Sequence, residues 1–308
     1  MNIFDQIGDF VSVLGVDVGG TAIKAVLVDD AGTVLETRSR PTPRRGPSVV
    51  LEVLDVVGHL AEELPADQVG VAVPGIVDER RGVGVFSENL GWRDVPFADL
   101  LTDRLRRPVA FTHDVRAGAL AENRLGGGRG ARTMLFLPIG TGIASALVTD
   151  GHVHDADGYA GELGHVDVGH GEPCLCGGTG CLEAIASAAA IARRYTALTG
   201  REISGAVDVA RRVEAGEPEA VTVWKAAVEG LVTALAWTAS MLAPEVVVVG
   251  GGLSGADRLL LEPLARSLSA RLTFQREPRL VRATLGGLAG CRGAALAAIA
   301  HQRGEPCL

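Results

Sequence analysis

The chain has 308 residues, 47% apolar and 21% charged, with a formal net charge of −8. That length accommodates two domains of roughly 100 to 200 residues, each with its own core, and that balance excludes a disordered chain. The acidic sign, with Lys24 and Lys225 as the only lysines and no Lys/Arg block, excludes a nucleic-acid surface, and no uninterrupted apolar run approaches the roughly 18 residues of a membrane span.

The N-terminus has neither the basic start nor the cleavage site of a signal peptide, so the chain reads as cytoplasmic. Residues 12–18, 25–28 and 33–37 are strand-like, and Asp30-Ala31-Gly32 supplies a turn before the last, which predicts an antiparallel meander. An apolar-periodic helix follows at 47–64, then a buried strand at 69–73 and a loop holding Pro74, Gly75, Asn89 and Trp92. Residues 108–112 form a strand and 115–125 a helix, after which the glycines of 126–130 read as a hinge or linker. The opening LGVDVGGTAIKAVLVDDAGTV is then echoed by LFLPIGTGIASALVTDGHV at 135–153, strand, glycine turn, strand, turn, strand. This duplication predicts two similar domains, each offering a glycine hairpin to a cleft between them. A helix at 221–242, a strand at 246–249, a helix at 259–272, a strand at 280–284 and an Ala-rich helix at 292–301 complete an α/β chain.

Five motifs could carry chemistry. In Asp17-Val18-Gly19-Gly20-Thr21 the glycines let backbone N–H groups approach an anion, Thr21 adds a hydroxyl and Asp17 could hold a metal through water; an ordinary Gly-Gly hairpin fits the same residues. Gly140-Thr141-Gly142 occupies the equivalent turn of the repeat, and the absence of any G-x-x-x-x-G-K-[ST] excludes a Walker-type loop. VVVVGGGLSG ends an apolar strand on Gly250, Gly251 and Gly252, where a flat base or simply a tight turn fits. Thr112-His113-Asp114 puts a carboxylate at a strand end, as a proton acceptor or a plain helix cap.

The fifth motif is GELGHVDVGHGEPCLCGGTGCLE at 161–183. Cys174, Cys176 and Cys181, with His165 and His170 upstream, offer soft ligands suited to tetrahedral Zn2+, and clustered cysteines in a reducing compartment read as metal binding before disulfides. Glu162 and Glu183 flank the cluster, facing either a polyhydroxylated ligand or solvent. Cys291 and Cys307 stand apart and read as a small buried residue and part of a tail.

In this order the motifs resemble the ROK family of sugar kinases and repressors, over nearly the whole chain, with its bacterial glucokinases most similar. The resemblance implies an actin-like, ribonuclease-H-like ATPase fold of two domains. The smaller is expected over 1–114, completed by a C-terminal helix at about 292–308, and the larger over 115–291. It implies ATP-dependent phosphorylation of a hexose, glucose first, with ATP, Mg2+ and a structural Zn2+. Residues 17–21 and 140–142 become the phosphate elements and 250–252 part of the adenosine site, with Lys24 among the nucleotide-binding residues. Asp114 becomes the catalytic base, and Asn89, His113, Glu162, His165 and Glu183 sugar contacts, while His165, Cys174, Cys176 and Cys181 hold the zinc.

Two departures bear on that reading. His113 stands where the family has Asn, which leaves N-acetylglucosamine, N-acetylmannosamine, mannose, fructose or a C7-cyclitol as alternative substrates. The spacing from His165 to Cys174 is one residue short, which keeps His170 as an alternative ligand. The family's repressors carry a DNA-binding winged helix before the first strand, whereas about ten residues precede it here, so a kinase is expected over a repressor or a non-catalytic sugar sensor. A homodimer or homotetramer is expected.

Overall fold

The computed structural model describes residues 11–304; Cys307 lies outside them. The chain divides into two compact units, the first taking the described residues up to Ala121, Asp155–Ala160, and those from Gly287 onward.

The first unit opens with the meander β1 (Val13–Val18), β2 (Ala22–Val28) and β3 (Val34–Pro41), followed by α1 (Val49–Glu63) and β4 (Gln68–Val73). The stretch holding Pro74, Gly75, Asn89 and Trp92, expected as a loop, instead carries a small antiparallel sheet of β5 (Ile76–Asp78), β6 (Val83–Ser87) and β7 (Trp92–Val95). Their apolar residues are too few and too interrupted by charge to show alternation, and Trp92 anchors the sheet by meeting Phe97 edge to face, Phe97 in turn stacking on Phe111. Helix α2 (Phe97–Leu105), strand β8 (Val109–His113) and helix α3 (Asp114–Leu125) follow.

The main sheet runs β3-β2-β1-β4-β8, with β1, β4 and β8 parallel. Both faces of β1 are buried, which is why it reads as a continuous apolar run. Leu14, Val16 and Val18 share a core with Val53, Leu54 and Val57 of α1, the latter recurring at helical spacing.

The second unit repeats this design. β9 (Thr133–Pro138), β10 (Ala146–Thr149) and β11 (His152–Val153) form the meander. Three helices follow in a stretch where no element was expected: α4 (Glu183–Ala186), α5 (Ala188–Thr199) and α6 (Ala206–Glu214). Then come α7 (Pro218–Leu242), β12 (Val246–Gly250), α8 (Asp257–Arg271) and β13 (Arg279–Arg282). The sheet order, β11-β10-β9-β12-β13, is that of the first unit, with β9, β12 and β13 parallel. Tyr195, Val209, Trp224, Leu231 and Leu264 pack over Val247 and Val249 in one core. Helix α7 is long and apolar enough to cross a membrane by length and composition, but Glu219, Lys225 and Glu229 interrupt it and its buried side chains belong to this core. The glycines after α3 are a fastened turn: buried Glu122 accepts the N–H groups of Gly127 at 2.8 Å, Thr284 at 3.2 Å and Leu285 at 2.8 Å.

The last helix, α9 (Ala289–Gln302), returns to the first unit and covers the other face of its sheet, where Cys291, Ala295 and Ala298 meet Val13, Val26 and Val28. Its approach is close because β1 and β4 each present a glycine to it. A Cβ on Gly15 would overlap the carbonyl oxygen of Cys291, and one on Gly70 that of Ala294. Gly70→Ala should therefore cost about 2 kcal/mol of stability by overpacking, seen as a lower urea midpoint with an unchanged slope.

Candidate active site

The parallel register of the first sheet sets Asp17 beside Ala72, and Val73 beside His113. The C-terminal ends of β1, β4 and β8 thus share one edge, the position where ligands of α/β sheets commonly bind. Asp17 packs against Gly290 of α9, and among the described residues no hydrogen-bond partner meets its enclosed Oδ1. Burial pushes its pKa up to about 6, opposed by the Lys24 ammonium across the hairpin. Lys24 is itself held by the carbonyl of Gly287 at 3.1 Å. In the adjoining turn Gly19 N–H donates to Ala22 O at 3.2 Å and Thr42 Oγ1 donates to Gly19 O at 2.6 Å. Gly20 and Thr21 face outward, with open space around the Gly20 α-carbon.

Asp114 begins α3 at the end of β8. Its Oδ1 accepts the N–H of Val115 at 2.7 Å and lies 3.2 Å from His113 Nε2. Burial, then the charge of Asp17, pushes its pKa up to about 7, against the lowering pull of the Val115 N–H and the Arg116 guanidinium. The side chain still keeps 27% of its surface open, so it is walled in by protein yet reachable by a ligand. Burial and the nearby Arg116 charge hold His113 neutral, down to about 3. Its Nδ1 faces the Arg116 N–H at 3.4 Å, which assigns the proton to Nε2, toward Asp114. Asn89 is exposed on the turn between β6 and β7.

Glu79 and Arg116 were not singled out in the sequence. Glu79 sits in the run Asp-Glu-Arg-Arg, which reads as a solvated turn, yet its Oε1 accepts from Thr112 Oγ1 at 3.0 Å, His113 N at 2.9 Å and Arg116 Nε at 2.8 Å. Arg116 is 1% exposed and also donates to Val77 O at 3.0 Å.

In the second unit Gly140-Thr141-Gly142 closes the turn between β9 and β10, with Gly140 N–H on Gly142 O at 2.9 Å and open space over Gly140. Gly250, Gly251 and Gly252 lie beside it: Gly250 O accepts Ile139 N–H at 3.0 Å, and Ile139 O accepts Leu253 N–H at 3.1 Å. Gly251 has φ +75°, and a Cβ there would overlap the Ile139 backbone, so only glycine fits. Glu183, at the start of α4, reaches under the turn and accepts the Ile143 N–H at 2.7 Å. Its carboxylate therefore braces a phosphate-type turn as well as flanking the cysteine loop.

That loop folds back on itself through bridges of Asp167 with Cys181 and Pro173 with Thr179. The donor atoms of His165, Cys174, Cys176 and Cys181 all lie within 4.8 Å of one another. His165 turns Nδ1 to the Cys174 sulfur at 3.8 Å and Nε2 to Glu162 at 3.9 Å. His170 is excluded from the cluster, its Nε2 facing Cys181 O and its Nδ1 the Glu172 N–H, both at 3.1 Å. Three sulfurs and one imidazole nitrogen match the donor set of a closed structural zinc site.

Two five-stranded sheets of one order, each with a glycine turn after its first strand, and a half-buried aspartate pair at a strand edge define an actin-like ATPase fold of the sugar-kinase type. The ROK family model matches residues 13–302, and the chain belongs to that family. A glucokinase of Halalkalibacterium halodurans is 33% identical over 91% of this chain and 92% of its own length. Among solved structures, a ROK hexokinase from Thermus thermophilus has 34% identity and a TM-score of 0.80, covering 95% of this chain and 99% of that one. A ROK family glucokinase from Streptomyces griseus in complex with glucose and AMPPNP has 30% identity and a TM-score of 0.79, covering 92% and 98%.

The raised Asp114 has a consequence for stability. Folding lifts its pKa from 3.8 to about 7, so the folded state binds this proton more tightly than the unfolded chain does. The resulting stabilisation is full below about pH 4 and is lost as the pH rises through about 7. Asp114→Asn, neutral throughout, should be more stable than the wild type by about 1–3 kcal/mol at pH 8 and equal to it near pH 4, measured by urea unfolding without ligands.

Proposed function

We propose that the protein transfers the γ-phosphoryl group of ATP to the primary hydroxyl of glucose, with Asp114 as the base. The observation that carries this reading is Asp114 itself: a carboxylate at a strand end with one oxygen held by the Val115 N–H, part of its surface open, and a pKa near neutrality. Such a group takes a hydroxyl proton efficiently at physiological pH. The proton passes to Oδ2, the hydroxyl oxygen bonds to the γ-phosphorus, and the bond from that phosphorus to the bridging oxygen breaks to leave ADP. A loose transition state of this kind asks the protein mainly for positioning and for donors to the phosphoryl oxygens.

The turns at 19–21 and 140–142 supply those donors, and Gly250–Gly252 gives a flat surface for the adenosine. Asn89, Glu162 and His165 serve the sugar hydroxyls, and Glu183 has a second oxygen for the same task. Mg2+ fits beside Asp17, whose buried Oδ1 lacks a partner, and would neutralise phosphate charge when bound with the nucleotide. Zn2+ fits the sulfur-rich cluster, where it would hold the loop that carries His165 and Glu162 in one shape.

Asp114→Asn should lower kcat by about 10²- to 10⁴-fold while leaving glucose affinity, measured by calorimetry, largely unchanged; near-normal turnover would remove Asp114 from the role of base. A panel of hexoses, N-acetylhexosamines and cyclitols, followed by ADP release, tests glucose as the acceptor, and turnover confined to another member would reassign the substrate. The purified protein should contain about one zinc per chain. Cys176→Ser should release that zinc and raise the KM for glucose more than that for ATP. A full zinc content in the variant would contradict the proposed ligand set.

A further inference from the structure

The pair Glu79 and Arg116 is absent from the roles assigned above, yet it joins the chain on either side of the base to the small sheet. Glu79 follows β5 of the small sheet, and the turn is fixed by Asp78 Oδ1 accepting the Arg81 N–H at 3.0 Å. From there one oxygen of Glu79 gathers Thr112 Oγ1, His113 N–H and Arg116 Nε, tying the end of β8 to the first turn of α3 on either side of Asp114. Arg116 passes the connection back to the small sheet through Val77 O. The ion pair is enclosed, with side-chain exposures of 2% for Arg116 and 11% for Glu79. Burying two charges is costly, and two apolar side chains of the same volume would hold a helix to a sheet at least as well.

We propose that Glu79 and Arg116 are a positioning pair for the catalytic base: Glu79 fixes where Asp114 stands, and the balance of the two charges sets the pH range over which Asp114 accepts a proton. The proposal rests on the reading of Asp114 as the base. The groups that act on Asp114 directly are Asp17 from β1, with His113 and Arg116 from its own segment, and Glu79, from the turn after β5, reaches it through Arg116 and the backbone of His113. Lys24 of β2 and Cys291 of α9 act one step removed, on Asp17, and burial holds the Cys291 thiol neutral. Of these, Arg116 is the cation whose field reaches both His113 and Asp114.

The sign of each perturbation follows. Removing the Glu79 charge leaves Arg116 uncompensated, which favours the Asp114 carboxylate and carries activity to lower pH. Removing the Arg116 charge does the reverse. Arg116→Lys keeps the charge but loses the two-pronged hold on Glu79 and Val77.

The test is the pH profile of kcat, with glucose and ATP saturating, for Glu79→Gln, Arg116→Met, Arg116→Lys, the double variant Glu79→Gln with Arg116→Met, and Asp114→Asn as reference. The acid limb should move down by about one pH unit in Glu79→Gln and up by about one in Arg116→Met, while staying near the wild-type position in Arg116→Lys. Each variant should lose about 10- to 100-fold in kcat with a much smaller change in the KM for glucose, because the base is displaced while the sugar contacts remain. If the single variants with one buried charge fail to fold, the double variant carries the test. It should show a wild-type acid limb with reduced kcat. Wild-type kcat and pH profile in the folded variants, with only thermal stability lowered, would overturn the proposal and leave the pair as a structural brace. Near-normal turnover in Asp114→Asn would instead overturn the reading of the base itself, whatever the pair does.

Discussion

The feature on which the rest depends is the confinement of two aspartates, Asp17 and Asp114, at one poorly solvated edge of a sheet. Each is pushed toward its neutral form by burial, and the charge of Asp17 adds to the push on Asp114. That confinement is made by packing rather than by the aspartates. Helix α9 can lie against β1 and β4 because Gly15 and Gly70 have no side chains, and the same close approach brings Gly290 onto the Asp17 carboxylate. A helix held farther out by side chains would admit water, and both carboxylates would return toward their ordinary range. The site is thus a destabilised element supported by the core behind it, as expected where polar groups are held for chemistry.

The second unit solves a complementary problem, holding backbone N–H groups outward with nothing to accept them. A turn that presents bare donors has to be anchored from behind. Glu183 does this by accepting the Ile143 N–H just past the turn, while Ile139 is locked on its other side by Gly250 and Leu253. Because Glu183 directly follows the loop closed by Cys181, the shape of the cysteine loop and the shape of the glycine turn are mechanically joined. A metal ion that stiffens the loop would act on the turn through this one side chain.

Much of this was legible in the sequence because it is periodic or punctuated. The runs of β1, β4, β9 and β12 are apolar on both faces, and the turns at 19–20 and 140–142 repeat in register, so sheets, repeat and glycine turns could be read directly. The cysteine spacing pointed to a metal cluster, and the fold brings His165 rather than His170 beside the three sulfurs, His170 engaging backbone instead. What stayed hidden was held by long-range partners. The small sheet of β5, β6 and β7 depends on Phe97 and Phe111, which lie outside it in sequence. Glu79 lies 37 residues from Arg116 and among charges that suggest solvent, so no local pattern betrays a buried ion pair.

His113 shows how the same residue changes meaning once its neighbours are known. Read beside Asp114 in the sequence, it stands where a carboxamide would offer a sugar both a donor and an acceptor. In the fold the ring is neutral and has one donor, at Nε2, which faces Asp114 Oδ1, and one acceptor, at Nδ1, which faces the Arg116 N–H. Nδ1 is thus turned to the protein, while the Nε2–H, 3.2 Å from the carboxylate oxygen, makes no hydrogen bond to it, so the ring keeps one donor beside Asp114. A carboxamide at this position would bring both a donor and an acceptor, whereas this ring commits its acceptor to the first turn of α3 and has its one donor, at Nε2, beside Asp114.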